Sequence, residues 1–418
     1  MMHYHFFMSQ KIKQCGILFL VILFLLQYYT LFSLAQMQLP EKGSIEKIWE
    51  KKWGGSANDS IYDLIALNDQ SFLATGKTAS FGQAWESVWI VKGDKKGEIT
   101  KNQAIGEQAY NLSHQIIITP EQNFIFGGES DWLYCPSCHE QGKAWMAKID
   151  QNLSLIWEKE LNQEGNKAIL SMTPSKRPAG FGIAGIHHFQ DAGLYQAWYA
   201  LSSWDGSILW SQTYQPLYHN SATCIIPADN GGFLVTGHSQ SARLDECDAW
   251  ILKVNSSGEI EWEKHFRENG LQVFNQIIQI DNNHFLLAGY TTNQGQGWQD
   301  GWLVCIDKKG TLLWEKTFGG DKRDILTAMV LLKDQSILLL TGHTTSRGQG
   351  ESDGWLVCID KKGTLLWEKT FGGINQDYFY GIRKGNGSNL YLFGKSDISQ
   401  ETNLENEEGW IIKLKMNH

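Results

Sequence analysis

Residues Gly301–Gly320 read GWLVCIDKKGTLLWEKTFGG, and residues Gly354–Gly373 repeat this stretch letter for letter. The two copies start 53 residues apart, which marks an internal duplication. Each copy carries two Trp residues twelve positions apart, for example Trp302 and Trp314. Self-similarity at a fixed period indicates a repeat architecture, so the same Trp pair is expected elsewhere in the chain.

The leading Trp of this pair recurs along the chain at spacings of 52 to 56 residues. The seven leading residues are Trp89, Trp145, Trp198, Trp250, Trp302, Trp355 and Trp410. Five of them have a partner Trp twelve positions later, whereas the residue twelve positions after Trp89 is Lys101. Trp410 has no partner before the chain ends at His418. The repeat therefore comes in seven copies, and the last copy is incomplete.

The missing end of the last repeat lies at the other end of the chain. Residues Ile45–Gly55, IEKIWEKKWGG, align with Gly310–Gly320, so that Trp49 matches Trp314. A linear array gains nothing from such a split and would favour capping repeats instead, whereas a closed ring gains a locked junction. The sequence therefore predicts an all-β fold: a seven-bladed β-propeller over residues 45–418, closed by an N-terminal strand that completes the last blade.

Each repeat is predicted to form one blade of four antiparallel strands. In the sixth repeat the expected strands are Ile325–Leu332, Ile337–Gly342, Trp355–Ile359 and Thr364–Phe371, with turns at Asp334–Gln335 and 360–363. The first three are nearly continuous apolar runs, as expected where both faces are covered. The fourth alternates apolar and charged residues, which is typical of an exposed edge.

The string ALSSWDGSILW (Ala200–Trp210) resembles the repeat of quinoprotein-type (PQQ-type) propellers. The wider Trp and Gly pattern is similar to Trp-rich propeller repeats of secreted, surface-exposed bacterial proteins, and it covers almost all of residues 45–418. The resemblance implies a fold and not a reaction. Quinoprotein dehydrogenases have eight blades with a central cofactor and metal, whereas this sequence has seven repeats and no motif that matches that site.

The first 35 residues have the pattern of an export signal. Lys11 and Lys13 precede an apolar run, Ile17–Leu26, and Ser33-Leu34-Ala35 forms a small-residue cleavage site. This pattern predicts a signal peptide, 1–35, cut after Ala35, and a linker, 36–44, in a protein that is periplasmic or secreted. An uncleaved membrane anchor is the alternative. No further membrane contact is expected.

Charge excludes one class of partner. The chain has 36 Lys and Arg against 45 Asp and Glu, a formal net charge of −9, and no basic stripe. Nucleic-acid binding needs a basic surface, so it is not expected. The expected partner is an extracellular or periplasmic glycan or protein, and the protein is expected to be a monomer.

The string Cys135-Pro-Ser-Cys138-His139 is the sharpest local motif. In an oxidising compartment we favour a Cys135–Cys138 disulfide. A metal ion held by Cys135, Cys138 and His139, or c-type haem, are the alternatives, and no other cofactor is expected. Cys305 and Cys358 occupy equivalent positions in neighbouring repeats and are predicted to be buried free thiols, whereas Cys224 and Cys247 share one repeat and could pair.

An acidic residue precedes several leading Trp residues by two positions. These residues are Asp248, Asp300 and Asp353, with Glu408 in the last copy. A ring of carboxylates could bind cations or glycans. Because the position recurs from blade to blade, we favour a structural role in which the carboxylate accepts hydrogen bonds from backbone N–H groups of the preceding loop.

The long loops between second and third strands are predicted to share one face with the Gly-Gly connections between blades. Aromatic and polar side chains on loops over a rigid scaffold suit ligand binding. The residues expected on this face are Trp85, Trp132, Tyr134, His187, His188, His238, Arg243, Trp298, His343 and Arg347.

The sequence has no H-E-x-x-H motif and no phosphate-binding Gly loop. We therefore expect a non-enzymatic binding or scaffold propeller, with its ligand on the face that carries the long loops. A glycoside hydrolase-like enzyme that uses loop Asp residues is the first alternative. A redox protein with haem at Cys135 and Cys138 is the second.

Overall fold

The computed structural model describes residues 44–106, 110–132, 142–161, 166–189, 194–215, 219–240, 246–332, 336–399 and 406–417. The regular structure of this part of the chain consists of 28 β-strands in seven four-stranded sheets. No helix long and apolar enough to cross a bilayer occurs in it. The sheets are the blades of a seven-bladed β-propeller, as the Trp repeat predicts.

The first fourteen strands, in chain order, are β1 (Ile45–Trp53), β2 (Asp59–Ala66), β3 (Phe72–Thr78), β4 (Ser87–Gly93), β5 (Ile99–Ile105), β6 (Tyr110–Ile118), β7 (Phe124–Trp132), β8 (Lys143–Ile149), β9 (Leu155–Leu161), β10 (Asn166–Lys176), β11 (Ala179–Phe189), β12 (Leu194–Ser202), β13 (Ile208–Tyr214) and β14 (His219–Pro227). The remaining strands are β15 (Phe233–Gln240), β16 (Cys247–Val254), β17 (Ile260–Phe266), β18 (Gln272–Gln279), β19 (His284–Thr291), β20 (Asp300–Asp307), β21 (Leu312–Phe318), β22 (Asp324–Leu332), β23 (Ile337–Thr344), β24 (Asp353–Asp360), β25 (Leu365–Phe371), β26 (Asp377–Lys384), β27 (Asn389–Asp397) and β28 (Glu407–Met416). Blades 1 to 6 are the successive groups of four from β2 to β25.

Blade 7 joins the two ends of the chain. Its strand order is β1-β28-β27-β26, so β1 is its fourth, outer strand. The indole Nε1 of Trp410 donates a hydrogen bond to Oε1 of Glu50 at 3.0 Å, across this junction. Blade 7 also contacts blade 1, where the Tyr391 hydroxyl donates to the carbonyl of Gln70 at 3.3 Å. The predicted closure by an N-terminal strand is confirmed.

The propeller forms one compact unit, Glu46–Met416, and the described residues Ser44, Ile45 and Asn417 belong to a second one. Within the described part of that unit, the Asn417 N–H donates to the Ser44 carbonyl at 2.8 Å. The predicted signal peptide, 1–35, lies outside the described residues, and so does most of the predicted linker, 36–44.

The seven leading Trp residues all lie on third strands and are buried, with exposed fractions of 0 to 3%. Six of them donate a hydrogen bond from Nε1 to the side chain thirteen positions further along the repeat, on the fourth strand. The pairs are Trp89–Asn102, Trp145–Glu158, Trp198–Ser211, Trp302–Glu315, Trp355–Glu368 and, through the closure, Trp410–Glu50. This bond explains why Glu follows the second Trp so often in the repeat.

The second Trp of each pair connects neighbouring blades. Gly310 and Gly363 lie in third-to-fourth-strand turns at φ 76° and 75°, a region that favours glycine. A Cβ on Gly310 would lie 2.8 Å from the Trp262 ring of the preceding blade. Where blade 1 has Lys101 instead of Trp, the facing turn of blade 2 has Leu153 instead of Gly, and the Lys101 ammonium donates to the Asn152 carbonyl there.

Four buried cysteines in the described part of the chain form no disulfide: Cys224, Cys247, Cys305 and Cys358. The prediction for Cys305 and Cys358 is confirmed. The possible Cys224–Cys247 pair is wrong, because β15 lies between their strands. Cys224 borders a register shift opposite Thr236, whereas Cys247 pairs with Gln240, so the two thiols also lie at different levels of the blade.

Candidate functional site

The upper face of the propeller carries the second-to-third-strand loops and the connections between blades. These two kinds of segment contact each other, since the Trp298 N–H donates to the Lys322 carbonyl at 2.9 Å. The Glu351 N–H donates to the Ile374 carbonyl at 3.3 Å in the same way, one blade further on. The predicted sharing of one face by both kinds of segment therefore holds in blades 5 and 6.

Each second strand reaches the upper face through the same short motif, Gly followed by a variable residue and then, in six blades, Ser or Thr. The Gly is required by close approach to the first strand: a Cβ on Gly342 would lie 1.8 Å from the Ile325 carbonyl oxygen, and one on Gly237 would lie 1.9 Å from that of Ser221. The variable positions, in blade order, are Lys77, Glu129, Ile186, His238, Tyr290, His343 and Lys395. Their chemistry changes from blade to blade while the backbone around them stays the same.

The first strand of every blade has an irregularity at its centre, where one residue has no partner in the register of its neighbour. The seven residues are Tyr62, His114, Leu170, Thr223, Asn275, Thr327 and Tyr380. All seven line one central cavity of about 120 Å³. Such β-bulges re-aim a side chain. Here they place one side chain per blade around the axis of the ring.

Three of these residues tie neighbouring blades together. The Thr223 hydroxyl donates to the Phe274 carbonyl at 2.6 Å, and the Thr327 hydroxyl donates to the Phe379 carbonyl at 2.9 Å. The Asn275 amide donates to the Leu326 carbonyl at 2.8 Å. These side-chain donors already form hydrogen bonds with backbone carbonyls. In blades 4 to 6, the residues at this part of the central cavity therefore have a structural role.

The seven variable positions form a rim at the upper face. We call blades 7, 1 and 2 the charged arc of this rim, because their variable residues are Lys395, Lys77 and Glu129. The Lys77 ammonium lies 2.5 Å from Glu86, and that of Lys395 contacts Glu407. Glu129 lies 3.8 Å from His114. Each charge therefore has an opposite or titratable partner within the protein.

A buried ion pair lies below the charged arc. The Asp63 carboxylate is 1% exposed, and its Oδ1 lies 2.8 Å from Nη2 of Arg383, in blade 7. Its Oδ2 accepts the Ile116 N–H of blade 2 at 3.1 Å. Burial raises the pKa of Asp63, and the Arg383 guanidinium opposes this rise. Asp63 thus links three blades. Burial also raises the pKa of its neighbour Tyr62 to about 12.

The uncharged arc, blades 3 to 5, is the part of the rim where the variable residues Ile186, His238 and Tyr290 lie. They open onto one cavity of about 450 Å³. Eleven residues line it, and none is Lys, Arg, Asp or Glu: Ile186, Tyr195, His219, Asn220, Ser221, His238, Gln240, Cys247, Leu271, Val273 and Tyr290. This cavity is within the usual size range of small-molecule sites.

Burial keeps three titratable groups of this cavity, His238, Cys247 and Tyr290, uncharged at pH 7. Burial lowers the pKa of His238 to about 4 and raises that of Cys247 to about 12, the second with a contribution from Asp248. Burial also raises the pKa of Tyr290. At pH 7 the imidazole, the thiol and the phenol are therefore all uncharged.

Aromatic rings form one wall of the cavity. The Tyr195 ring lies 4.8 Å from the His188 ring and 5.4 Å from that of His219, centroid to centroid. The Tyr195 N–H donates to Nδ1 of His219 at 3.3 Å. In the neutral imidazole the proton is then on Nε2, which makes His219 a hydrogen-bond donor at that atom.

Four predicted face residues lie elsewhere than expected. His187, His188, His238 and His343 were predicted on loops, but they belong to the second strands β11, β15 and β23. These strands continue two to four residues past the repeated Gly, because the motif stays paired with the first strand; Ile325 pairs with His343, for example. His188 is also in β11 and buried. His187 is 2% exposed, whereas His238 keeps accessible area and lines the cavity.

The predicted loop residues differ in what they contact. Trp85 and Trp298 are 66% and 81% exposed on the upper face. Arg347 is engaged internally: its Nε lies 2.8 Å from Glu368, and its Nη2 donates to the Gly319 carbonyl at 2.9 Å. Trp132 is the last residue of β7, while Tyr134 and Arg243 lie outside the described residues.

The recurring acidic residue before the leading Trp accepts loop N–H groups. Asp300 Oδ2 accepts from Gln296 at 3.1 Å and from Gly297 at 2.9 Å, and Asp353 accepts from Gly350 at 2.9 Å. Asp248 instead lies 3.4 Å from Arg267. These contacts agree with a structural role for Asp300 and Asp353.

A second acidic position was missed in the sequence. Asp59, Asp324 and Asp377 open their first strands and accept the N–H of Gly55, Gly320 and Gly373 at 2.9, 2.7 and 2.7 Å. The signal is the Asp that follows, by four residues, the Gly-Gly pairs at 54–55, 319–320 and 372–373 between blades. It holds the connection between blades in place.

The Cys135, Cys138 and His139 motif lies outside the described residues, so its disulfide, metal and haem readings stay predictions. In the ranges that the structure does describe, no group of three or more His, Cys, Asp or Glu side chains could hold a metal ion.

Neither a family model nor a curated protein matches this sequence. Solved structures do match. The WD40 domain of Neurospora crassa Pan2 aligns with a TM-score of 0.53 at 8% identity, over 90% of this chain and 96% of that domain. A protein of unknown function from Dyadobacter fermentans aligns with a TM-score of 0.51 at 10% identity, over 91% and 100%. Chaetomium thermophilum Raptor aligns with a TM-score of 0.53 at 7% identity, over 90% of this chain and 30% of Raptor. At these identities the likeness is one of fold alone, and the fold is a β-propeller.

Proposed function

We propose that this chain is an exported, non-catalytic binding propeller whose upper face holds a glycan or protein ligand. The observation that carries the proposal is the variable position of the second strands. Between a fixed Gly and, in six blades, Ser or Thr, this one residue is Lys, Glu, Ile, His, Tyr, His and Lys in turn. Repeats keep residues that build blades, so a position that differs on an otherwise uniform rim suits contact with an asymmetric ligand.

Exposed apolar side chains around the rim support the same face. Trp85, Trp298 and Ile374 are 66, 81 and 77% exposed, and all three lie on upper-face segments. Large aromatic side chains contribute strongly to binding interfaces, because they bury much area on few rotatable bonds. Trp85 and Trp298 precede the leading Trp of their blades by four residues, so they present indoles at equivalent places in blades 1 and 5.

Export is proposed from the N-terminal sequence and from the likeness to Trp-rich repeats of secreted bacterial proteins. We expect the exported protein to begin at Gln36 and to reach the periplasm or the medium. Expression of the full chain in a Gram-negative host, followed by N-terminal sequencing of the periplasmic and secreted fractions, tests this. Recovery of the intact N-terminus in the membrane fraction would contradict it.

Binding is tested with the exported protein on a glycan array and in a pull-down from periplasmic and extracellular extracts. We expect a retained ligand that is recovered unchanged. The Trp85→Ala, Trp298→Ala double variant should bind more weakly if the ligand spans the rim, and Leu365→Ala, on the outer fourth strand, is its control. Release of reducing sugar from a bound glycan would contradict the non-catalytic proposal and favour a glycoside hydrolase-like enzyme.

A further inference from the structure

The cavity of the uncharged arc differs from the charged arc in having no Lys, Arg, Asp or Glu on its walls. An ionised ligand placed there would lose its hydration without meeting a counter-charge, which is costly. A purely apolar ligand would leave the Ser221 hydroxyl and the His238 imidazole facing it without a hydrogen-bonding partner. A neutral molecule with polar edges and apolar faces fits both constraints.

We propose that this cavity, between blades 3, 4 and 5, is the binding site for one uncharged sugar ring of a glycan. The inference rests on the proposed binding function and names its site and ligand class. Tyr195 and Tyr290 line the cavity with aromatic rings that suit the C–H face of a pyranose, and Leu271 and Val273 add apolar lining. The Ser221 hydroxyl and the His238 imidazole also line it, and both suit hydrogen bonds to sugar hydroxyls.

His238 is the residue on which the site depends most. It is the variable residue of blade 4, it stands opposite Ser221 in the strand register, and it lines the cavity. Its Nδ1 is enclosed, and no described atom is within hydrogen-bonding reach. Nε2 is therefore the ring atom left to meet a ligand. A neutral imidazole offers there one donor or one acceptor, according to its tautomer.

His343 provides a matched comparison within the same chain. It occupies the same position of blade 6, and its Nδ1 is likewise enclosed without a partner in the described structure. However, its ring packs against Tyr378, with centroids 4.4 Å apart, and it does not line the cavity of the uncharged arc. Replacing either His by Phe keeps a planar ring and removes the nitrogens.

The experiment is calorimetric titration of the exported protein with neutral sugars (cellobiose, maltotriose and N,N′-diacetylchitobiose) and with charged ones (digalacturonate and sialyllactose). We expect at least one neutral sugar to bind and the charged ones not to bind. His238→Phe should weaken binding by about tenfold or more, because a sugar hydroxyl loses its hydrogen-bonding partner in the cavity. His343→Phe should change the affinity less than about twofold, since its ring lies elsewhere.

A second variant, Tyr290→Leu, removes an aromatic ring without adding charge. If His238→Phe does not fold, the affinity of Tyr290→Leu for the sugar tests the cavity instead. Thermal melting of each variant establishes folding. Equal affinities for the wild type, His238→Phe and Tyr290→Leu would overturn the cavity and leave the binding function standing. Binding of the charged sugars alone would overturn the ligand class. If none of these sugars binds but the pull-down recovers a protein ligand, the sugar site is overturned. If none of these sugars binds and the pull-down recovers nothing, the proposed binding function is overturned as well.

Discussion

The charged arc and the uncharged arc consist of equivalent strands of different blades, at the same level of the ring. They differ in what the side chains at the variable position contact. At the variable position the charged arc has Lys395, Lys77 and Glu129. The two Lys residues form ion pairs with Glu407 and Glu86, and Glu129 lies beside His114. The uncharged arc has Ile186, His238 and Tyr290 around an open cavity. Polar groups that satisfy one another stabilise the ring, whereas groups that face a cavity stay available to a ligand. The blades at the chain closure are therefore expected to carry stability, and blades 3 to 5 to carry binding.

Loss of β1 should have the largest effect, because it removes the outer strand of blade 7 and uncovers the edge of β28. We expect a chain without Ile45–Trp53 to show no cooperative unfolding transition by circular dichroism. Grafting the same nine residues after Asn417 through a short Gly linker should restore the transition, because the strand then completes blade 7 from the other end. A cooperative transition in the deleted chain would contradict ring closure by β1.

Breaking the ion pair under the charged arc should have the next largest effect. Arg383→Met leaves the buried Asp63 carboxylate without its counter-charge. We expect it to lower the free energy of unfolding by about 2–4 kcal/mol, a value reduced because Arg383 is partly exposed. The Arg383→Met, Asp63→Asn double variant should lose less than Arg383→Met alone. Urea unfolding measures both, and equal losses would argue against a coupled pair.

The buried histidines should make stability depend on pH. Burial lowers the pKa of His238 to about 4. Burial, with smaller contributions from Arg323 and Lys395, lowers the pKa of His343 to about 3. Unfolded His has a pKa of about 6.5, so the unfolded chain binds protons that the folded protein refuses. The stability that depends on these neutral histidines is fully present above pH 6.5 and is lost as the pH falls towards 4. Urea unfolding at pH 7 and pH 5 should show a smaller drop for His238→Phe or His343→Phe than for the wild type.

The smallest effect concerns a turn that blades 1 and 2 build differently from blade 4. Blade 4 has Gly231 at φ 82° in its first-to-second-strand turn, whereas blades 1 and 2 have Gln70 at 67° and Gln122 at 65°. A side chain in this left-handed region costs energy that Gly avoids. Gln70→Gly and Gln122→Gly should each raise the free energy of unfolding by about 0.5–1 kcal/mol, net of the entropy that Gly gains when unfolded. A loss of stability in either variant would show that its side chain has a role of its own.

The blades and their closure could be predicted because they depend on spacing. The Trp pairs gave the number of blades, and the match of Trp49 to Trp314 gave the closure. The histidines were misplaced because a Gly next to polar residues suggests a loop, whereas here the Gly permits close approach of two strands that remain paired. The bulges at Thr223 and Thr327 leave no trace in the repeat length. The cavity could not be predicted, since it depends on which variable residues become neighbours around the ring.

A crystal structure of the exported protein soaked with a neutral sugar that binds it in solution would show where the ligand lies. The expected result is one sugar ring between blades 3 and 5, against Tyr195 and Tyr290, with a hydroxyl within hydrogen-bonding distance of Nε2 of His238. A sugar bound instead at Lys77 and Lys395, or only on the exposed indole of Trp298, would contradict the assignment of binding to the uncharged arc.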